Sequence, residues 1–241
     1  MPIVCAHATS FDVDVVVFDK DGTLVDLDAL WFPPARGWLD AIVGDDDALC
    51  RLLAERLGID LVGERLVPDG IAAAATFDDF KQTTANELSS QGWNAERVTA
   101  ALSVGGRASN AAIPPEASAV LADIPALFTG LRSAGLRVAV LTSADRSSTL
   151  EFLRQLGAEH LVDTVVTSTD VEYPKPHPEG LHQIGDTLAC SADRLLMVGD
   201  SVFDHQAARA AGAWFVAVGH QAGAADGADA SIECVDQITV G

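Results

Sequence analysis

The chain has 241 residues, 49% of them hydrophobic, which is enough to bury a substantial core in one large domain or in a domain with an insert. Its formal charge of −20 and pI near 4.3 exclude a general nucleic-acid binder, because a phosphate backbone is repelled by so acidic a surface. No apolar run reaches the length of a membrane span, no basic residue precedes the apolar start "MPIVCAHATSFD", and Cys5, Cys50, Cys190 and Cys234 are too scattered for a zinc ribbon or a disulfide framework; a soluble cytoplasmic protein with reduced thiols is expected.

Val13 to Phe18 is a short, β-branched, nearly continuous apolar run bounded by charge, the pattern of a strand buried on both faces of a parallel sheet. It stops on Asp19-Lys20-Asp21-Gly22-Thr23. If the extended backbone persists, the two-residue spacing puts both carboxylates on one side and Lys20 on the other. Gly22 permits a tight turn, which the Thr23 hydroxyl can tie down.

The rhythm then changes. Between Asp26 and Ala119 the sequence shows amphipathic helical stretches, at Asp28 to Leu57 and Phe77 to Leu102, and little that alternates like a strand. Its edges lie at Val25 to Leu27 and in the Pro- and Ala-rich "AAIPPEASA" from Ala111 to Ala119. A helical insert at 26–119 is expected within a core made of 1–25 and 120–241.

After the insert, strand-like runs at Leu136 to Thr142, Val162 to Ser168, Arg194 to Asp200 and Trp214 to Gly219 alternate with helical patterns. The helices are expected at Pro125 to Ala134, Ser147 to Leu156, Pro178 to Leu188 and Asp204 to Ala211, three of them followed directly by Gly. The alternation predicts an α/β fold, a doubly wound, Rossmann-like parallel sheet. In such sheets ligands sit at the carboxyl ends of the strands.

Each strand end admits an ordinary explanation. Thr142 or Ser143 could cap the next helix; Lys175, between two prolines, could be a solvated loop cation; Asp200 or Ser201 could be an N-cap, with Asp204 one turn further on. Taken together, however, Asp19, Asp21 and Asp200 make a hard oxygen cluster suited to Mg²⁺, and Thr142 and Lys175 offer a neutral and a cationic donor to an anion. Lysine is scarce here, with Lys20, Lys81 and Lys175 the only three.

Four segments in order, "FDKDGTL" (Phe18 to Leu24), "VLTS" (Val140 to Ser143), "KPHPEGL" (Lys175 to Leu181) and "VGDSVFD" (Val198 to Asp204), resemble the motifs of the haloacid dehalogenase superfamily in its phosphatase branch. The wording and the place of the insert are most similar to the phosphoglycolate phosphatase group. The resemblance implies Asp19 as the nucleophile that forms an aspartyl-phosphate, and Asp21 as the acid for the leaving alcohol and then the base for water. It implies that Thr142, Ser143 and Lys175 hold the phosphoryl group. Mg²⁺ would be bound by Asp19, the main-chain carbonyl of Asp21, and Asp200, with Asp204 behind them. The insert would be the family's cap domain, where Trp31, Arg36, Lys81 and Arg107 are candidate substrate contacts. The expected substrate is a small phosphorylated metabolite.

Asp21 separates the chain from the dehalogenases and the phosphonatase-like members, which lack that carboxylate, and from the ion-pumping ATPases, which carry Thr there. Lys20 stands where capped sugar-phosphate phosphatases commonly have an aliphatic or aromatic residue, and its main-chain N–H is the expected contributor. A phosphomutase similar to β-phosphoglucomutase fits the same motifs. A phospho-accepting signalling receiver fits poorly, being shorter and carrying its aspartate after a later strand.

Overall fold

The computed structural model describes residues 3–67, 70–74, 77–219 and 225–241. The chain divides into two compact units, one formed by Met1–Asp26 with Val120–Gly241, the other by Leu27–Ala119.

In the first unit, β1 (Ile3–Ala6) and β2 (Thr9–Asp12) form an antiparallel hairpin ahead of β3 (Val15–Phe18). The insert holds α1 (Leu27–Val43), α2 (Asp47–Leu57), the two-residue strands β4 (Ile59–Asp60) and β5 (Arg65–Leu66), then α3 (Ile71–Ala74), α4 (Phe77–Ser90) and α5 (Ala95–Ala111). The chain then continues through α6 (Ile124–Ser133), β6 (Arg137–Thr142), α7 (Arg146–Gln155), β7 (Thr164–Thr167), α8 (Glu179–Thr187), β8 (Leu195–Gly199), α9 (Val202–Ala211), β9 (Trp214–Val218), β10 (Ala230–Ile232) and β11 (Ile238–Val240).

Six strands make a parallel sheet in the order β10-β9-β8-β3-β6-β7. β3 lies at its centre because all four of its residues are buried, each apolar side chain contributing roughly 1.5–3 kcal/mol of burial. Alternation along the strand sends Val15 and Val17 to one face, where they pack with Leu181 and Ile184 of α8 and Ala207 and Ala208 of α9. Phe18 meets the ring of Phe128 from α6, at 5.2 Å between centroids. This is the expected α/β, doubly wound arrangement. β1, β2 and β11 form a separate three-stranded antiparallel sheet.

The insert has its own core. Trp38 and Leu39 of α1, Leu53 and Leu57 of α2 and Leu88 of α4 are fully buried there. Good N-caps start two of its helices, with Asp46 accepting from the Leu49 N–H and Asn94 from the Arg97 N–H. Among the described residues, no helix is long and apolar enough to cross a membrane.

Candidate active site

The strand registers set the site. Phe18 stands opposite Val140 of β6 on one side and Val198 of β8 on the other. The residue after Phe18 therefore emerges at the carboxyl edge of the sheet, level with the last residues of both neighbours. Strand order reverses around β3, so this edge is where an open α/β sheet presents its ligand crevice.

Asp19, Asp200 and Asp204 meet at that edge, each with a carboxylate oxygen within 4.8 Å of the others, and all three are buried. Lys175 joins them from the loop after β7. Its Nζ donates to Asp19 Oδ1 at 2.6 Å, to Asp204 Oδ1 at 2.6 Å and to the main-chain oxygen of Leu141 at 3.3 Å. Burial works against the Lys175 charge, but Asp19 and Asp204 outweigh it and hold the ammonium above its ordinary pKa. Burial raises the Asp19 carboxyl well above the usual range; Lys175 opposes this, while Asp204 and Asp200 add to it. Asp200 is pushed up to about 7 by burial and then by Asp204.

Local sequence explains how three carboxylates come so close. Asp204 belongs to a capping box at the start of α9: its backbone N–H donates to Ser201 Oγ, and its Oδ2 accepts from the Ser201 N–H and hydroxyl. Asp204 is thus part of the carboxylate cluster itself. Gly199 lies beneath it, where an added Cβ would come within 2.6 Å of the Asp204 side chain. Gly22 does the same for Asp200, since a Cβ there would fall 2.2 Å from its Oδ2, and its φ of +87° is one that residues with a side chain rarely adopt.

The other expected residues fall in three places. Thr142 is buried at the end of β6, accepts from the Ala144 N–H, and lines one small cavity with Lys175. Ser143 is exposed, and its carbonyl accepts from the Ser168 hydroxyl. Neither caps α7, because Asp145 does so by accepting from the Ser148 N–H. Asp21 lies on the turn after β3; its carboxylate is outside the three-carboxylate cluster, and the main-chain carbonyl is the group expected to ligate.

The turn itself differs from expectation. The strand ends at Phe18, and the Lys20 carbonyl gathers the N–H groups of Thr23, Leu24 and Val25. With the extended form lost, Lys20 does not point away from Asp21: its buried Nζ lies 2.7 Å from Asp21 Oδ1. Thr23, expected to tie the turn, instead sends its hydroxyl to Asp200 Oδ1 at 3.3 Å. The signal for that contact was an invitingly placed hydroxyl, but its partner lies 177 residues away.

In the insert, Arg36 pairs with Asp40, Lys81 with Asp78, and Arg107 donates to Ser103, while the Trp31 side chain is exposed.

Residues 13–212 match the haloacid dehalogenase-like hydrolase family. The chain belongs to that family. Phosphoglycolate phosphatase of Rhodospirillum rubrum is 30% identical over 204 residues, 82% of this chain and 76% of that protein. Pyrophosphatase PpaX of Bacillus velezensis is 35% identical over 82 residues, 34% of this chain and 38% of that protein. The crystal structure of a subfamily IA hydrolase of this superfamily from Geobacter sulfurreducens superimposes with a TM-score of 0.59 at 20% identity, covering 93% of this chain and 94% of that one. The chain is an enzyme of the family's phosphatase branch.

Proposed function

We propose that this enzyme is a Mg²⁺-dependent phosphatase that hydrolyses a small phosphorylated metabolite through an aspartyl-phosphate on Asp19. The observation that carries the reading is the buried group of Asp19, Asp200 and Asp204 around the single ammonium of Lys175. Three carboxylates against one ammonium leave an excess of negative charge in a desolvated place. A small divalent cation offsets it, and an all-oxygen donor set fits Mg²⁺.

Asp19, Asp200 and the Asp21 carbonyl would hold the ion, with Asp204 behind them. When bound, Mg²⁺ supplies positive charge that offsets repulsion between the Asp19 carboxylate and an anionic phosphoryl group.

The residues then divide the work. A carboxylate oxygen of Asp19, set at the end of the buried strand β3, attacks phosphorus. Asp21 gives a proton to the departing alkoxide, and the alcohol leaves. A water molecule then loses its proton to the Asp21 carboxylate and attacks phosphorus, releasing phosphate and restoring Asp19. Lys175 and Thr142, with Ser143 beside them, bind the phosphoryl oxygens. Residues 26–119 serve as the cap that selects the alcohol portion, and similarity to phosphoglycolate phosphatase makes a small phosphorylated acid the first compound to try.

The test is a panel of phosphorylated metabolites incubated with Mg²⁺, with phosphate release measured for each and 2-phosphoglycolate and pyrophosphate included. Release from at least one monoester that chelation abolishes supports the reading. Transfer of the phosphoryl group to a sugar without release of phosphate would replace it with a mutase.

A further inference from the structure

We propose that Lys20 is a positioning residue for Asp21, holding the acid/base carboxylate where it meets the leaving group and then the water. The inference rests on the reading of Asp21 given above.

Lys20 is 2% exposed and is among the largest fully buried side chains of the molecule. An ammonium is rarely buried without a partner, because its desolvation is costly. Its Nζ lies 2.7 Å from Asp21 Oδ1 and 5.6 Å from the centroid of the Phe152 ring on α7, within the range of a cation–π contact. Phe152 is itself buried. The ammonium therefore has both a buried ring and the Asp21 carboxylate within reach.

Asp21 has the opposite character. Its side chain is 34% exposed and stands on a turn, outside the regular strands, where Asp21 bridges Val25. Left alone, such a carboxylate samples several rotamers. The turn that draws the Thr23, Leu24 and Val25 amides onto the Lys20 carbonyl also folds the Lys20 ammonium back onto its neighbour. A buried ammonium thereby restrains a half-exposed carboxyl group, and misplacement of a general acid by about 1 Å costs up to about a hundredfold in rate.

A purely structural Lys20, present to fill space beside Phe152, makes a different prediction. The test compares kcat/KM for phenyl phosphate and p-nitrophenyl phosphate, two esters of similar shape whose leaving groups differ in basicity. Only the more basic phenolate depends strongly on proton donation during attack by Asp19, and kcat/KM does not report the later water step.

Lys20→Met keeps the length and apolar bulk of the side chain, and its folding is checked by circular dichroism. It is expected to lower kcat/KM for phenyl phosphate about tenfold while p-nitrophenyl phosphate changes less than about threefold. Lys20→Arg is expected to restore part of the loss, and adding Lys20→Met to Asp21→Asn should cost nothing further. Equal losses for the two esters, no loss, or the same cost in both backgrounds would overturn the proposal. If Lys20→Met does not fold, Lys20→Arg and Lys20→Gln carry the same comparison. Failure of the parent reading looks different: Asp21→Asn alone would then leave the rates for both esters unchanged.

Discussion

The Lys175 ammonium sits 2.6 Å from Asp19 Oδ1, with both side chains buried. The pair joins the proposed nucleophile to the loop after β7, and the same ammonium reaches Asp204. Replacing Lys175 by Met leaves two buried carboxylates without their cation. We expect a loss of about 3–5 kcal/mol of stability in the metal-free protein, measured by urea denaturation, with Mg²⁺ restoring part of it. An unchanged midpoint without metal would show that the pair is not buried in solution.

The raised carboxyl of Asp200, at about 7, gives stability a pH dependence. The unfolded group titrates near its ordinary value of 3.8. Below that pH both states hold the proton and the group contributes no slope. Between the two values the folded protein keeps a proton that the unfolded chain has released, so stability falls as pH rises, and above about 7 the loss is complete. Metal-free protein is therefore expected to lose stability on the order of 1 kcal/mol per pH unit across that window. Asp200→Asn should flatten the slope, because it removes this group and also relieves Asp19. Mg²⁺ needs the ionised form, so its affinity should rise with pH up to neutrality; calorimetric titration showing the reverse would contradict this.

Gly22→Ala adds a Cβ 2.2 Å from Asp200 Oδ2 at a backbone φ of +87°. Either the turn or the Asp200 carboxylate must move. Mg²⁺ affinity is expected to fall at least about tenfold, with strain of roughly 1–2 kcal/mol appearing in thermal melts. Calorimetric titration of folded Gly22→Ala would decide it, and wild-type affinity would show that Asp200 does not contribute to the metal site.

Asp21→Asn separates chemistry from architecture. The carboxylate of Asp21 lies outside the buried cluster, so the variant, though losing some stability by taking the charge from beside Lys20, should stay folded and keep its Mg²⁺ affinity while turnover drops about 10²–10⁴-fold. Parallel loss of metal binding and turnover would count against the acid/base role.

Much of the core was legible because strands buried on both faces leave an unmistakable trace. Val15–Phe18 and Leu195–Gly199 are unbroken apolar runs ending in Asp, and they fold as expected, with ends shifted by a residue or two. The sheet of β1, β2 and β11 was not legible. Its strands are three or four residues long, its hairpin turns through His7 at φ 52° without a Gly, and β11 pairs from the far end of the chain. That Asp19, Asp200 and Lys175 come together was legible from their places at strand ends and in the loop after β7, because topology alone gathers them. Its contacts were not, since they depend on where the strand stops being extended. That single event turns Lys20 inward onto Asp21 and sends the Thr23 hydroxyl to Asp200.

The central claim, that Asp19 is the nucleophile of a phosphatase, is tested most directly by Asp19→Asn with Mg²⁺ and p-nitrophenyl phosphate. The fold should persist, since the substitution removes a charge from a crowded anionic cluster, and phosphate release should fall at least about 10³-fold. Release at the wild-type rate from folded Asp19→Asn would contradict the account.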